Sequence, residues 1–166
     1  MASELHVDSI KHSGGTSALT IDSSGRVLKS NIPYFHVTGN GAWVDLGSSF
    51  TAFFMTGTQA VEIIANVGSH YDASNGRFTA PVAGMYQFNC FLYVNNTGDA
   101  SHPSRIYLNG SHWHDNYHVQ GNADDYSDHT LAYSWNMNLS ATDYVNIYAQ
   151  EDYYGHHCFW MGYLVG

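Results

Sequence analysis

Residues 84–94 alternate without a break. Tyr86, Phe88, Cys90, Leu92 and Val94 fall on one side, and Met85, Gln87, Asn89, Phe91 and Tyr93 on the other. A period of two marks a strand with one face in a core. Residues 129–139 repeat the pattern: Leu131, Tyr133, Trp135, Met137 and Leu139 point in, while Thr130, Ala132, Ser134, Asn136 and Asn138 point out. Within 144–149, Val145, Ile147 and Ala149 share a side. Shorter strands are predicted at Tyr34–Val37, Ala42–Leu46, Thr51–Met55, Val61–Ile64, Arg77–Thr79 and Arg105–Leu108. Cys158–Val165 is apolar on both sides, as expected of a strand covered on both faces. No segment carries a helical period. About ten short strands separated by turn clusters predict an all-β, ten-stranded jelly-roll sandwich.

The other side of 84–94 presents Met85, Phe91 and Tyr93, which a monomer would leave wet. Apolar patches of that kind mark interfaces, so these three are candidate oligomer contacts. Residues 1–31 have a different texture, with no aromatic residue. They hold a quasi-repeat, Leu5-His-Val7-Asp8-Ser9 and Leu19-Thr-Ile21-Asp22-Ser23, each copy reading as a strand followed by a turn. The segment has too few apolar residues to fold alone and needs neighbours, most simply copies of itself around a symmetry axis. Two parts are therefore expected: an amino-terminal strand segment at 1–31 and a jelly-roll domain at 32–166.

Composition narrows the function. Of 166 residues, 44% are hydrophobic, 15% aromatic and 11% charged. A disordered chain is excluded, and no apolar run reaches the roughly 18 residues of a membrane span. The net charge is −9, all of it beyond residue 30, where eleven acids face only Arg77 and Arg105. Such a body lacks the cationic face that nucleic acid or an anionic membrane requires. Cys90 and Cys158 allow one disulfide, or two buried thiols. Met1–Lys11 has charges and no apolar core, so no signal peptide is expected. No nucleophile elbow, zinc-protease helix or phosphate loop is present. Asp124, Asp125, Asp128, Glu151 and Asp152 lie in loop-like polar stretches, not in a paired-carboxylate arrangement. The chain reads as a non-enzyme.

Gly76-Arg-Phe78-Thr79-Ala-Pro81-Val-Ala-Gly84-Met-Tyr86-Gln-Phe88 resembles the signature of the globular head of complement C1q, preceded here by Asn66 and Tyr71-Asp72. Trp160-Met161-Gly162-Tyr163-Leu164 resembles that family's closing strand, with Met161 where Ser is preferred. Ile106-Tyr-Leu108-Asn109-Gly110 and Leu139-Ser-Ala-Thr-Asp143-Tyr-Val145 resemble the intervening strand pairs, with Thr142 where Gly is usual. The resemblance covers about residues 33–166. It implies the jelly roll shared with tumour necrosis factor and a homotrimer, placing Met85, Phe91 and Tyr93 at the trimer interface. No collagen stalk precedes the head, so immune-complex recognition does not carry over. The segments around Leu5-His-Val and Ala18-Leu-Thr-Ile-Asp-Ser-Ser-Gly-Arg26 resemble pieces of bacteriophage fibre and appendage proteins.

Two stretches are dense in candidate binding residues. Ser111–Tyr126 holds Trp113, Asp115, Tyr117 and Tyr126, and Gln150–His157 holds Tyr153 and Tyr154. Aromatic faces beside amides and carboxylates suit sugars, although strand-edge packing explains them as well. His112 and His114 are two apart, so on a regular strand they share a face. Three chains would then gather six imidazoles, which suits a transition metal on the axis; exposed, solvated histidines are the plainer reading. The resemblance also makes calcium near the trimer apex a candidate, with Asp124, Asp125 and Asp128 as hard ligands, but no spacing fixes it. No cofactor is required.

The expected function is structural and adhesive. The chain reads as a virion protein made in the bacterial cytoplasm: a tail-fibre, appendage or head-fibre tip binding a host-surface glycan or protein. Its amino-terminal segment would join other virion proteins. The alternatives are a ligand-free trimerisation or decoration module and, less favoured, a secreted lectin or a polysaccharide depolymerase.

Overall fold

The computed structural model of the chain describes residues 6–29, 31–41, 43–94, 103–116 and 129–166. The chain divides into two compact units between Ile32 and Pro33. In the first, β1 (Ser9–Lys11), β2 (Ser17–Ile21) and β3 (Val27–Leu28) form an antiparallel sheet in that order. Asp22 makes the second turn: Oδ1 accepts the N–H groups of Ser24 and Arg26, both at 2.9 Å, and Oδ2 meets Arg26 Nε at 2.7 Å. Among the described residues the first strand is Ser9–Lys11, and His6 and Val7 of the first quasi-repeat copy lie outside it. Its place is set by the turn that follows, where the His12 N–H bonds the Thr16 carbonyl and the Gly15 N–H bonds that of His12. Ile10, Val27 and Leu28 remain about half exposed.

The second unit is a sandwich. Its strands are β4 (Tyr34–Gly39), β5 (Trp43–Asp45), β6 (Thr51–Ala52), β7 (Val61–Val67), β8 (Tyr71–Asp72), β9 (Arg77–Thr79), β10 (Gly84–Val94), β11 (Ser104–Leu108), β12 (Ser111–Asn116), β13 (His129–Leu139), β14 (Tyr144–Ala149), β15 (Asp152–Tyr154) and β16 (Phe159–Leu164). One sheet runs β5-β15-β10-β16-β4-β7, with β13 paired to the other side of β10. The facing sheet runs β12-β11-β14-β9-β8, with β6 on β14. Among the described residues this unit has thirteen strands where ten are expected. Every predicted segment holds one. The additions are β8 and β15, only two and three residues long, and β12, whose polar sequence hides its period.

Between the sheets lies an aromatic core. Phe35 is its hub, with ring centroids 4.8 Å from Phe78, 5.1 Å from Tyr71 and 4.7 Å from Trp160. The 84–94 alternation holds: Tyr86, Phe88, Cys90, Leu92 and Val94 are all buried. Gly162 is obligatory in β16, because a Cβ there would stand 2.5 Å from Phe88 Cδ1 and 2.7 Å from Phe35 Cε1. The Gly76–Phe88 motif is held by side-chain bonds to the backbone. Asn146, buried in β14, donates to the carbonyls of Asn75 at 3.1 Å and Gly76 at 3.0 Å. Asn66 closes the turn into β8, accepting the Tyr71 N–H and donating to its carbonyl.

Cys90 and Cys158 are both buried free thiols. Burial pushes the Cys158 thiol up to about 12 and moves Cys90 in the same direction. The Cys158 sulfur accepts the Tyr93 N–H and its thiol donates to the Tyr154 carbonyl, both at 3.3 Å. Coverage of β16 differs from expectation. Cys158, Trp160 and Gly162 face the core, but Phe159 and Met161 are only half-buried and Tyr163 is exposed. Among the described strands of this unit, the facing sheet packs against one side alone.

Registers define two poles of this unit. Tyr34 pairs Tyr163, Gly84 pairs Leu139 and Tyr86 pairs Leu164 at one end. Thr38 pairs Phe159, and Val94 pairs both His129 and Tyr153, at the other. The chain enters the unit at the first pole.

Two substitutions should shift stability in opposite directions. Gly162→Ala forces a methyl between Phe88 and Phe35 and is expected to cost about 1–3 kcal/mol as overpacking. Thr142 holds φ at +76°, a conformation costly for a β-branched residue. Thr142→Gly should therefore stabilise by about 1 kcal/mol. Urea unfolding midpoints of the two variants test both signs.

Candidate functional site

The β11–β12 hairpin turns at Asn109 and Gly110, both with positive φ, as an Asn-Gly turn requires. Its register then slips. Tyr107 pairs His112 and Ile106 pairs His114, leaving Trp113 as the extra residue of a bulge. Neighbours on β11 point to opposite faces, so the bulge sends the two histidines apart. His112 lies against the Tyr107 ring at 6.0 Å and meets Asp115 Oδ1 through Nε2 at 3.0 Å. His114 instead lines a cleft of about 160 Å³ with Ile106, Trp113, Asn116, Tyr133 and Trp135, between the edge strands β12 and β13. The expected His112–His114 metal pair is thus broken, because an unbulged strand was assumed. Among the described residues no group of three or more His, Cys, Asp or Glu side chains could hold a metal ion. Tyr117, Tyr126, Asp124, Asp125 and Asp128 lie outside the described residues.

Asp115 sits on the outer face of the six-stranded sheet. Its Oδ1 also takes Arg105 Nε at 2.7 Å, and the Arg105 guanidinium lies 3.6 Å above the Phe50 ring. Tyr107 lies against Tyr148 beside it, the rings tilted and their centroids 4.2 Å apart. Desolvation raises the Asp115 carboxyl, but Arg105 and His112 outweigh it and hold the group below the ordinary carboxylate value. Arg77 lies over Tyr144 at 4.3 Å on the same face. Both arginines of the second unit therefore lie on this one face. Trp113, 45% exposed, has His114 as its ring neighbour.

Tyr153 and Tyr154, predicted together, separate. Tyr153 is fully buried, its hydroxyl donating to the Pro103 carbonyl at 3.3 Å, and its phenol is pushed up by burial. It is a core residue, not a binding residue. Pairing of β15 with the end of β10 turns Tyr153 inward, and strand alternation turns Tyr154 outward.

Tyr154 then meets a ring that sequence reasoning missed. β5 pairs β15 with Trp43 opposite Tyr154, and the two centroids are 4.6 Å apart. Tyr93 stands 6.3 Å from Tyr154 and 5.0 Å from His157. His156 lies 5.7 Å from Tyr154. Trp43 is visible in the sequence only as part of a strand candidate; nothing local says that its partner lies about a hundred residues on. Beside the cluster, Phe91, Tyr93, Phe159 and His157 help line an open depression of about 400 Å³. It belongs to the outer face of the larger sheet, which also carries Met85, Met161 and Tyr163. Phe91 and Phe159 stack there at 5.2 Å, nearly parallel.

Comparison with known proteins bears on the second unit. Residues 50–165 match the profile of the C1q domain. A Bacillus subtilis (strain 168) protein, described as uncharacterized protein YqcC, is 30% identical over 100 residues, 56% of this chain and 26% of its own length. The chain thus spans about a quarter of that curated relative. The globular domain of zebrafish complement 1qA superposes with a TM-score of 0.57 at 15% identity, over 81% of this chain and 98% of that one. The Eiger TNF structure from S. frugiperda gives 0.59 at 10% identity, over 82% and 94%. Murine APRIL gives 0.57 at 8% identity, over 81% and 99%. These likenesses establish a shared fold.

The Asp115 geometry has a pH signature. A depressed carboxyl contributes stability above its unfolded value and loses it as pH falls through the lower folded value. Arg105→Met should move the Asp115 titration midpoint upward in carboxyl NMR. An unmoved midpoint would show that Arg105 is not what holds it down.

Proposed function

The chain belongs to the C1q domain family, and from that premise we propose that it is the homotrimeric, non-enzymatic head of a virion fibre or appendage, adhering to a host-surface glycan or protein. The observation that carries the reading is the uncovered outer face of the larger sheet. Met85, Phe91, Tyr93, Phe159, Met161 and Tyr163 lie on it, and among the described strands of this unit the facing sheet packs against the opposite side. Covering such a face in a symmetric assembly removes it from water. Heads with this fold commonly form homotrimers, which supports three copies.

The fibre setting rests on other ground. The amino-terminal unit resembles phage fibre segments and keeps Ile10, Val27 and Leu28 exposed, which suits attachment to other virion proteins. A bacterial relative of part of the chain supports a prokaryotic setting. In this reading the protein is made in the bacterial cytoplasm and resides in the virion. Three coupled sites then give avidity beyond that of one site, without new contacts.

Sedimentation should show a species three times the 18.4 kDa chain mass at micromolar concentration. Phe91→Glu should dissociate it and weaken binding to a glycan or cell-surface array by about 100-fold or more. A well-folded 18.4 kDa species from the unaltered chain would overturn the trimer. A trimer that binds nothing on such arrays would favour the ligand-free module.

A further inference from the structure

We propose that Trp43 and Tyr154 form a shelf on which one uncharged pyranose ring of a surface glycan stacks; this deepens the adhesive reading above and rests on it. The shelf exists because β15 extends the sheet beyond the end of β16 and recruits β5 as its outer strand. Trp43 and Tyr154 are directly opposite each other, so both rings share one face. They lie at the pole away from the chain's entry into the unit, on the extension of the sheet past the end of β16.

Polar groups flank the rings. Two positions along the same face, Asp45 stands opposite Asp152. Asp45 Oδ1 accepts the Gly47 N–H at 2.7 Å, which holds that carboxylate in place. His156 lies on the other flank, beside Tyr154. A pyranose presents an apolar C–H face to a ring and hydroxyls around its rim, so it satisfies both surfaces together. A purely aliphatic ligand would strip water from the carboxylates and return no hydrogen bond. An acidic sugar would meet two carboxylates on a unit that already carries the whole net charge of −9. The indole is 45% exposed at an edge strand, where proteins ordinarily place charge or proline.

Saturation-transfer NMR of the full chain tests the shelf. The probes are the methyl pyranosides of glucose, mannose, galactose and N-acetylglucosamine, with a methyl sialoside as the acidic comparison. At least one neutral glycoside should show transfer concentrated on its ring C–H protons, and the sialoside none. Trp43→Ala should reduce the binding at least tenfold, Trp43→Phe should retain most of it, and Val82→Ala, at an exposed position, should leave it unchanged. Absence of transfer from every neutral glycoside, or full transfer in Trp43→Ala, overturns the proposal. A glycan array separates this from the broader reading. Equal array binding by the unaltered chain and Trp43→Ala sinks the shelf and leaves adhesion standing, whereas no array binding by either sinks adhesion itself.

Discussion

Among the described strands of its unit the larger sheet is packed on one side only, and most of what distinguishes this protein follows from that asymmetry. Its inner side meets the facing sheet through Phe35, Phe88 and Trp160, each fully buried. Its outer side carries apolar residues along β10 and β16, interrupted by Gln87 and Asn89, and among the described strands of the unit no second layer covers it. Sandwich domains ordinarily alternate apolar and polar residues so that the solvent side is wettable. Here β16 breaks that rule with Phe159, Met161 and Tyr163, and β10 breaks it with Met85, Phe91 and Tyr93. The departure is local to the strands at the middle of the sheet. On β13, Ser134, Asn136 and Asn138 face outward and keep the ordinary pattern.

The strands were legible wherever burial imposes a period. The alternation of 84–94 and of 129–139 predicts which side of each residue is inside, and the paired registers agree at every position. Short strands without a period were not legible. β8 and β15 exist because longer neighbours supply their hydrogen-bond partners, a property of the assembled sheet and not of their own residues. The same limit explains β16: composition shows that both sides are apolar, but not that only one is covered within the chain.

Of the candidate residues, the strand setting was legible and the neighbours of each side chain were not. Aromatic and histidine density marks exposed strand at 111–114, whereas 150–157 is mostly buried or half-buried and ends in a 3-10 turn. Position within these stretches depended on two features with no local signal. One is the bulge at Trp113, which reverses the expected relation of His112 and His114. The other is the β5–β15 pairing, which sets Trp43 opposite Tyr154. Tyr153 shows the cost of reading adjacent aromatics as a pair, since strand alternation gives successive residues opposite fates.

The course of β10 has a mechanical meaning. Its eleven residues run from one pole to the other, and all eleven are paired with β13, while six are also paired with β16. Tension between the two ends would pull along this strand, with its ladder bonds lying across the line of force. Bonds in that arrangement share the load and must shear together, instead of opening one after another as in a peeled hairpin.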